Sequence, residues 1–118
     1  MSHPSVDAVA ARVRDQLEGT VQQLCGYLSV PAISCDPAHH ADVRTLAGRI
    51  RHDLDALGLD NARLLELDDA LPCVAAEWLG AGPEAPTVLI YGHLDLQPVE
   101  PEHWRTDPHE GVAHEGRL

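Results

Sequence analysis

The residues best suited to chemistry stand together in the stretch Tyr91-Gly92-His93-Leu94-Asp95-Leu96-Gln97-Pro98. In an extended segment His93 and Asp95, two positions apart, project to the same side. A carboxylate so placed accepts a hydrogen bond from one imidazole nitrogen, which fixes the tautomer and leaves the other nitrogen to bind a metal ion. Gly92, just before the pair, lets other groups approach the backbone closely. The run ahead of it, Val88-Leu89-Ile90-Tyr91, is apolar on consecutive residues, as a strand covered on both faces would be. Ligands of open α/β sheets gather outside the carboxyl ends of such strands. Taken alone, H-x-D at a strand end describes an ordinary polar pair as well as a metal ligand, and spacing does not separate the two.

Other groups of chemical interest have weaker geometry. His103, His109 and His114 lie among Glu100, Glu102, Asp107, Glu110 and Glu115, but their spacings match no structural zinc pattern, and a proline-rich loop fixes mutual geometry poorly. His39 and His40 are adjacent on an expected helix, so they point about 100 degrees apart and read as a solvated face. Cys25, Cys35 and Cys73 are odd in number, widely spaced and without a C-x-x-C pair, which suggests neither a disulfide framework nor a thiolate zinc site. Buried, reduced thiols in a cytoplasmic protein are the expectation. Ser34 and Cys35 follow a helix rather than a strand-to-helix elbow, and no G-x-S-x-G occurs, so a serine or cysteine hydrolase has little behind it. Trp104 suits a sheet edge that needs covering, or the wall of a pocket.

The elements that must hold these residues can be read from periodicity. Val6, Val9, Val13, Leu17, Val21, Leu24 and Leu28 recur at steps of three or four, which predicts one amphipathic helix over residues 5–29 with a stripe broad enough to pack on a sheet. Pro31 disfavours its continuation. Asp36 and Pro37 offer a cap and first-turn residue for a second helix over 37–57, carrying Val43, Leu46, Ala47, Ile50, Leu54 and Leu57, with Gly58 as its stop. Strands are expected near 62–67, 73–79 and 87–91, the first two as a hairpin and the third central. This predicts an α/β fold, a mixed sheet flanked by helices. Two helices cover a three-stranded sheet only partly, so further strands are expected beyond Leu118 or in another chain. The 118 residues then form the N-terminal segment of one domain, incomplete at its C-terminus.

Composition narrows the partners. Hydrophobic residues are 44% and charged residues 23%, which argues against disorder. The net charge is -11, and all eight Lys or Arg positions are arginine. Such a field repels nucleic acid and anionic lipid and attracts divalent cations. No apolar run approaches the roughly 18 residues that cross a bilayer, and no basic-then-apolar leader opens the chain. A cytoplasmic location is the expectation.

The run 87–99, Thr87-Val88-Leu89-Ile90-Tyr91-Gly92-His93-Leu94-Asp95-Leu96-Gln97-Pro98-Val99, resembles the first signature of the co-catalytic zinc metallopeptidases. These include aminoacylases, carnosine dipeptidases, glutamate carboxypeptidases and succinyl-diaminopimelate desuccinylase. Ile33-Ser34 is similar to the family's I-P-S-V-S segment, Trp104-Arg105-Thr106-Asp107-Pro108 to its W-x-x-D-P segment, and Gly116-Arg117-Leu118 to the lead into its second signature. The likeness covers nearly the whole chain and is most specific at 87–99. Its tyrosine before the glycine and its Q-P-V ending look nearest the dipeptidase-like branch. His109 departs from the phenylalanine usual after D-P.

The resemblance implies a zinc-exopeptidase-like sheet, with His93 ligating one of two zinc ions and Asp95 the catalytic-centre carboxylate that orients it. Manganese or cobalt could replace zinc. The implied substrate is a small peptide or N-acyl amino acid, and a homodimer is possible. The family's remaining ligands and its general base lie downstream of Leu118, so the chain alone is expected to be inert. Two zinc ions about 3.5 Å apart would polarise an amide carbonyl and lower the pKa of a shared water toward about 7, with a glutamate moving its proton. A different function is a non-catalytic binding or assembly module of the same fold, docking on a partner through the long amphipathic helix.

Overall fold

The computed structural model describes residues 4–113 and 115–118. They form two compact units, one of residues 4–29 with the described part of 100–118, the other of Val30–Val99.

The unit Val30–Val99 is organised by one helix. Asp36 Oδ1 accepts from the Ala38 amide at 2.9 Å, and Pro37 opens a short 3-10 turn, Pro37–His39, that runs into α1 (His40–Ala56). A proline there loses nothing, because first-turn amides have no helical acceptor. The helix ends where Gly58 takes φ +85°. Its amide donates to Asp55 O and the Leu59 amide to Leu54 O, the paired bonds of a left-handed C-terminal cap that a side chain at Gly58 would strain. Val43, Leu46 and Ala47, spaced for one face, are buried.

That helix packs against β1 (Asp60–Leu65) and β2 (Cys73–Glu77). The strands are antiparallel, with Leu65 opposite Cys73, Leu64 opposite Val74 and Arg63 opposite Ala75. A bulge shifts the register before Asp60 meets Glu77. Asn61, at φ +53°, sits in the bulge, where asparagine tolerates the left-handed region better than most side chains. Its amide also bonds the Glu77 carboxylate. The core is completed by Val30, Ala32 and Ile33. The Leu96 amide donates to Ala32 O at 3.0 Å, and Ile33 and Leu96 form a parallel bridge, so residues 32–33 pin the segment that carries His93 and Asp95.

The expected third strand at 87–91 does not form. Those residues join no ladder among the described residues, and Val88, Leu89, Ile90 and Tyr91 are 80–90% exposed. A central strand needs a neighbour on each edge, and the hairpin pairs only with itself. The mixed sheet is therefore a two-stranded antiparallel one within a small α/β arrangement.

In the other unit the expected helix 5–29 is two helices, α2 (Val6–Asp15) and α3 (Leu17–Leu28). Ser5 Oγ caps the first by accepting from the Ala8 amide at 3.2 Å. At Gln16 the backbone turns to φ -96°, ψ -1°, although its amide still bonds Arg12 O. The apolar stripe packs on no sheet: Val6, Val9, Val13, Leu17 and Leu24 are 43–84% exposed. Among the described residues, this unit offers only the short 3-10 helix Pro101–His103 and loops as cover.

One loop does approach α3 closely. A Cβ on Gly111 would lie 2.7 Å from Cα and Cβ of Cys25, closer than carbon atoms can pack. Gly111→Ala should therefore destabilise this unit by about 1–3 kcal/mol. Gly19→Ala, on the same helix with nothing within 4 Å, should raise stability by roughly 0.5–1 kcal/mol through helix propensity. Thermal melts of the two variants that move in the same direction would refute this contrast. No helix among the described residues is long and apolar enough to cross a membrane.

Candidate functional site

His93 and Asp95 are brought together. Nδ1 of His93 lies 2.9 Å from the main-chain oxygen of Asp95 and 3.2 Å from its Oδ1. Both neighbours are acceptors, so Nδ1 carries the proton and donates to both, leaving Nε2 with a bare lone pair. The His93 side chain is 76% exposed, so the ring is open to solvent rather than sealed in hydrocarbon.

The other carboxylate oxygen is also held. Ser34 Oγ donates to Asp95 Oδ2 at 2.5 Å, and the Ser34 carbonyl accepts from His40 Nε2 at 3.1 Å. The Ser34 hydroxyl holds the Asp95 carboxyl below its ordinary pKa. Partial burial opposes this, while the residue's own amide and the His93 imidazole reinforce it. Because the folded chain binds this proton less tightly than the unfolded chain, Asp95 contributes stability above an unfolded pKa of about 3.9, lost as pH falls through the lower folded value. Ser34→Ala should move the folded value upward. Following the Asp95 carboxyl carbon by NMR during an acid titration checks this, and an unmoved midpoint would count against the hydroxyl.

Beside the pair opens a cleft of about 500 Å³, walled by Ile50, Leu54, Pro72 and Val74, with Tyr91 also on its border. Its walls are mostly apolar, and His93 and Asp95 bring polar groups to its lining.

The remaining candidates stay apart. His103 Nδ1 pairs with Glu100 Oε2 at 2.8 Å on the surface. His109 Nδ1 donates to Leu28 O at 3.4 Å, and its amide donates to Asp107 Oδ1 at 2.8 Å. His114 lies outside the described residues. His39 bonds Asp42 at 2.8 Å while His40 turns to Ser34, so the adjacent histidines diverge. Among the described residues, no three His, Cys, Asp or Glu side chains gather closely enough to hold a metal ion. Trp104 is half exposed, and the described residues of its unit form no sheet edge for it to cover. None of the three cysteines forms a disulfide. Cys35 and Cys73 are exposed and Cys25 is half-buried, against the expected burial, because none lies on the face of α1 that makes the core.

The parts of the site that sequence reasoning missed are Ser34 and His40. Ser34 and Asp95 are 61 positions apart, and no periodicity links a residue after one helix to a residue after an apolar run. The available signal was the likeness of Ile33-Ser34 to a family segment.

Comparison with known proteins adds an independent line. The chain is 28% identical to the Cys-Gly metallodipeptidase DUG1 of Saccharomyces cerevisiae, over 99% of its own length and 26% of the relative's. It is 29% identical to aminoacylase-1 of Sus scrofa over 87% of its length and 24% of the relative's. With the cysteinylglycine-S-conjugate dipeptidase of Corynebacterium striatum it shares 37% over 66% and 17%. The chain thus spans about a quarter or less of the curated relatives it matches. No family model matches it, and no solved structure does. The class defined by these matches is that of metallodipeptidases and aminoacylases. The chain belongs to the metallopeptidase family that holds both.

Proposed function

We propose that His93 is a ligand to one zinc ion of a two-metal centre, and that the whole protein hydrolyses amide bonds in dipeptides or N-acyl amino acids. The observation that carries this reading is the Nδ1 proton committed to Asp95, with Nε2 left bare on an open ring. An imidazole locked in that tautomer is the donor that zinc takes. The fit is that of one donor, and the other donors must come from elsewhere in the whole protein. The relatives are named for Cys-Gly dipeptide cleavage and for aminoacylase activity, which supports the substrate class.

When bound, the metal pair would polarise the scissile carbonyl and acidify the attacking water. The chain's own residues prepare the position. Asp95 keeps the Nδ1 proton in place and aims the ring. Ser34 fastens the other oxygen of Asp95. The fold proposed for the whole protein is zinc-exopeptidase-like, with 87–91 as a central strand of a mixed sheet, and the exposed apolar run is what such a strand shows without neighbours. The chain by itself then lacks the donors for catalysis. The setting we propose is a cytoplasmic protein, with homodimerisation open to a sizing measurement.

The test is to measure the metal content of the full-length protein and its hydrolysis of Cys-Gly, β-alanyl-histidine and N-acetyl amino acids. A purified protein with no divalent metal and no hydrolysis of any of them overturns the reading. One observation favours a second reading, a non-catalytic assembly module: the apolar stripe along α2 and α3 stands exposed. That reading requires the same two measurements to be negative.

A further inference from the structure

We infer that Ser34 is a positioning residue for His93, acting through Asp95. The inference deepens the proposed function and rests on its reading of His93. Three sets of contacts carry it. The Ser34 hydroxyl donates its single hydrogen to Asp95 Oδ2 at 2.5 Å, which leaves Oδ1 facing His93 Nδ1 at 3.2 Å. A carboxylate fastened by one oxygen cannot rotate its other oxygen away from the ring without breaking a charge-assisted bond. The main chain beside Ser34 is fixed in turn, because Ile33 is buried and bridged to Leu96, and Ala32 O accepts the Leu96 amide at 3.0 Å. Finally, the Ser34 carbonyl accepts from His40 Nε2 at the first residue of α1.

A continuous path therefore runs from the helix that makes the core, through Ser34 and Asp95, to the imidazole. The His93 N–H is shared between the Asp95 carboxylate and the nearer main-chain oxygen at 2.9 Å. Removing Ser34 should thus loosen the ring rather than release it.

The test is a spectroscopic one on the protein labelled with 15N in its histidine rings, read without metal at about pH 8, well above the ordinary histidine pKa of about 6.5. In the wild type, Nδ1 of His93 should show the protonated shift and Nε2 the bare one. Ser34→Ala should draw the two shifts toward each other as both tautomers become populated, and Ser34→Thr, which keeps the hydroxyl, should restore the separation. Zn²⁺ affinity of the full-length protein should fall about tenfold in Ser34→Ala, in the range for lost outer-shell partners. If Ser34→Ala does not fold, Ser34→Cys, a poor donor of similar size, serves in its place. A wild-type ring pattern in the variant lacking the hydroxyl overturns the inference. A His93→Ala protein that binds Zn²⁺ as tightly as the wild type overturns the metal reading alone, because the ring pattern is recorded in its absence.

Discussion

On the proposed reading of His93 as a metal ligand in a dipeptide hydrolase, replacing it by alanine should lower kcat/KM of the full-length protein for dipeptides by about a thousandfold or more. Loss of one ligand to a metal that stabilises charge in the transition state removes several kcal/mol, and each 1.36 kcal/mol is a factor of about ten. The Asp95→Asn change should cost less, about 10–100-fold, because the nearer acceptor of the His93 N–H is the Asp95 main-chain oxygen, which that substitution leaves in place. The order of the two effects is the informative part. Steady-state kinetics at saturating metal, with metal content measured on the same samples, separate a lost ligand from a lost orientation. A His93→Ala protein within tenfold of the wild type would remove the imidazole from the mechanism. So would an Asp95→Asn defect that exceeds it.

Leu46→Ala should destabilise the unit Val30–Val99 by roughly 2–4 kcal/mol, the usual cost of a cavity left by a buried leucine. Leu46 is 3% exposed, on the face of α1 that meets the hairpin, and its neighbours Val43 and Ala47 are equally enclosed. With only six buried apolar residues forming the core among the described ones, little packing remains to absorb the loss. Arg44→Ala on the same helix is the control. Arg44 pairs with Glu66 at 3.2 Å where both side chains are at least half exposed, a contact worth under about 1 kcal/mol. Urea denaturation followed by far-ultraviolet circular dichroism reads both, and equal midpoints for the two variants would place the core elsewhere.

The two ends of α1 are marked in local chemistry, since a capping aspartate, a first-turn proline and a terminal glycine each act within a few residues. The hairpin is marked in the same way by turn residues between two short apolar runs. The H-x-D pair needs only the two-residue repeat of an extended backbone for its side chains to meet. Longer-range features left no such mark. Val88 to Tyr91 has the composition of an enclosed strand, but enclosure is a property of neighbours, and apolar character cannot show whether they are present. The stripe of α2 and α3 has the period of a packed face and no sheet in its own unit to meet. The break at Gln16 lies within an unbroken hydrophobic period, because backbone hydrogen bonds continue across it. Ser34 and His40 join the site through tertiary contacts, which a reading by spacing does not register.

The uncovered run from Val88 to Tyr91 also bears on how such a polypeptide must be handled as it is made. Consecutive uncharged, β-prone side chains on a backbone with unfilled ladder positions template cross-strand stacking between molecules. Pro86 on one side and Gly92 on the other shorten the fibril-competent stretch, in the manner of gatekeepers. Until those few residues are shielded, they are the stretch through which one copy of the chain would pair with another.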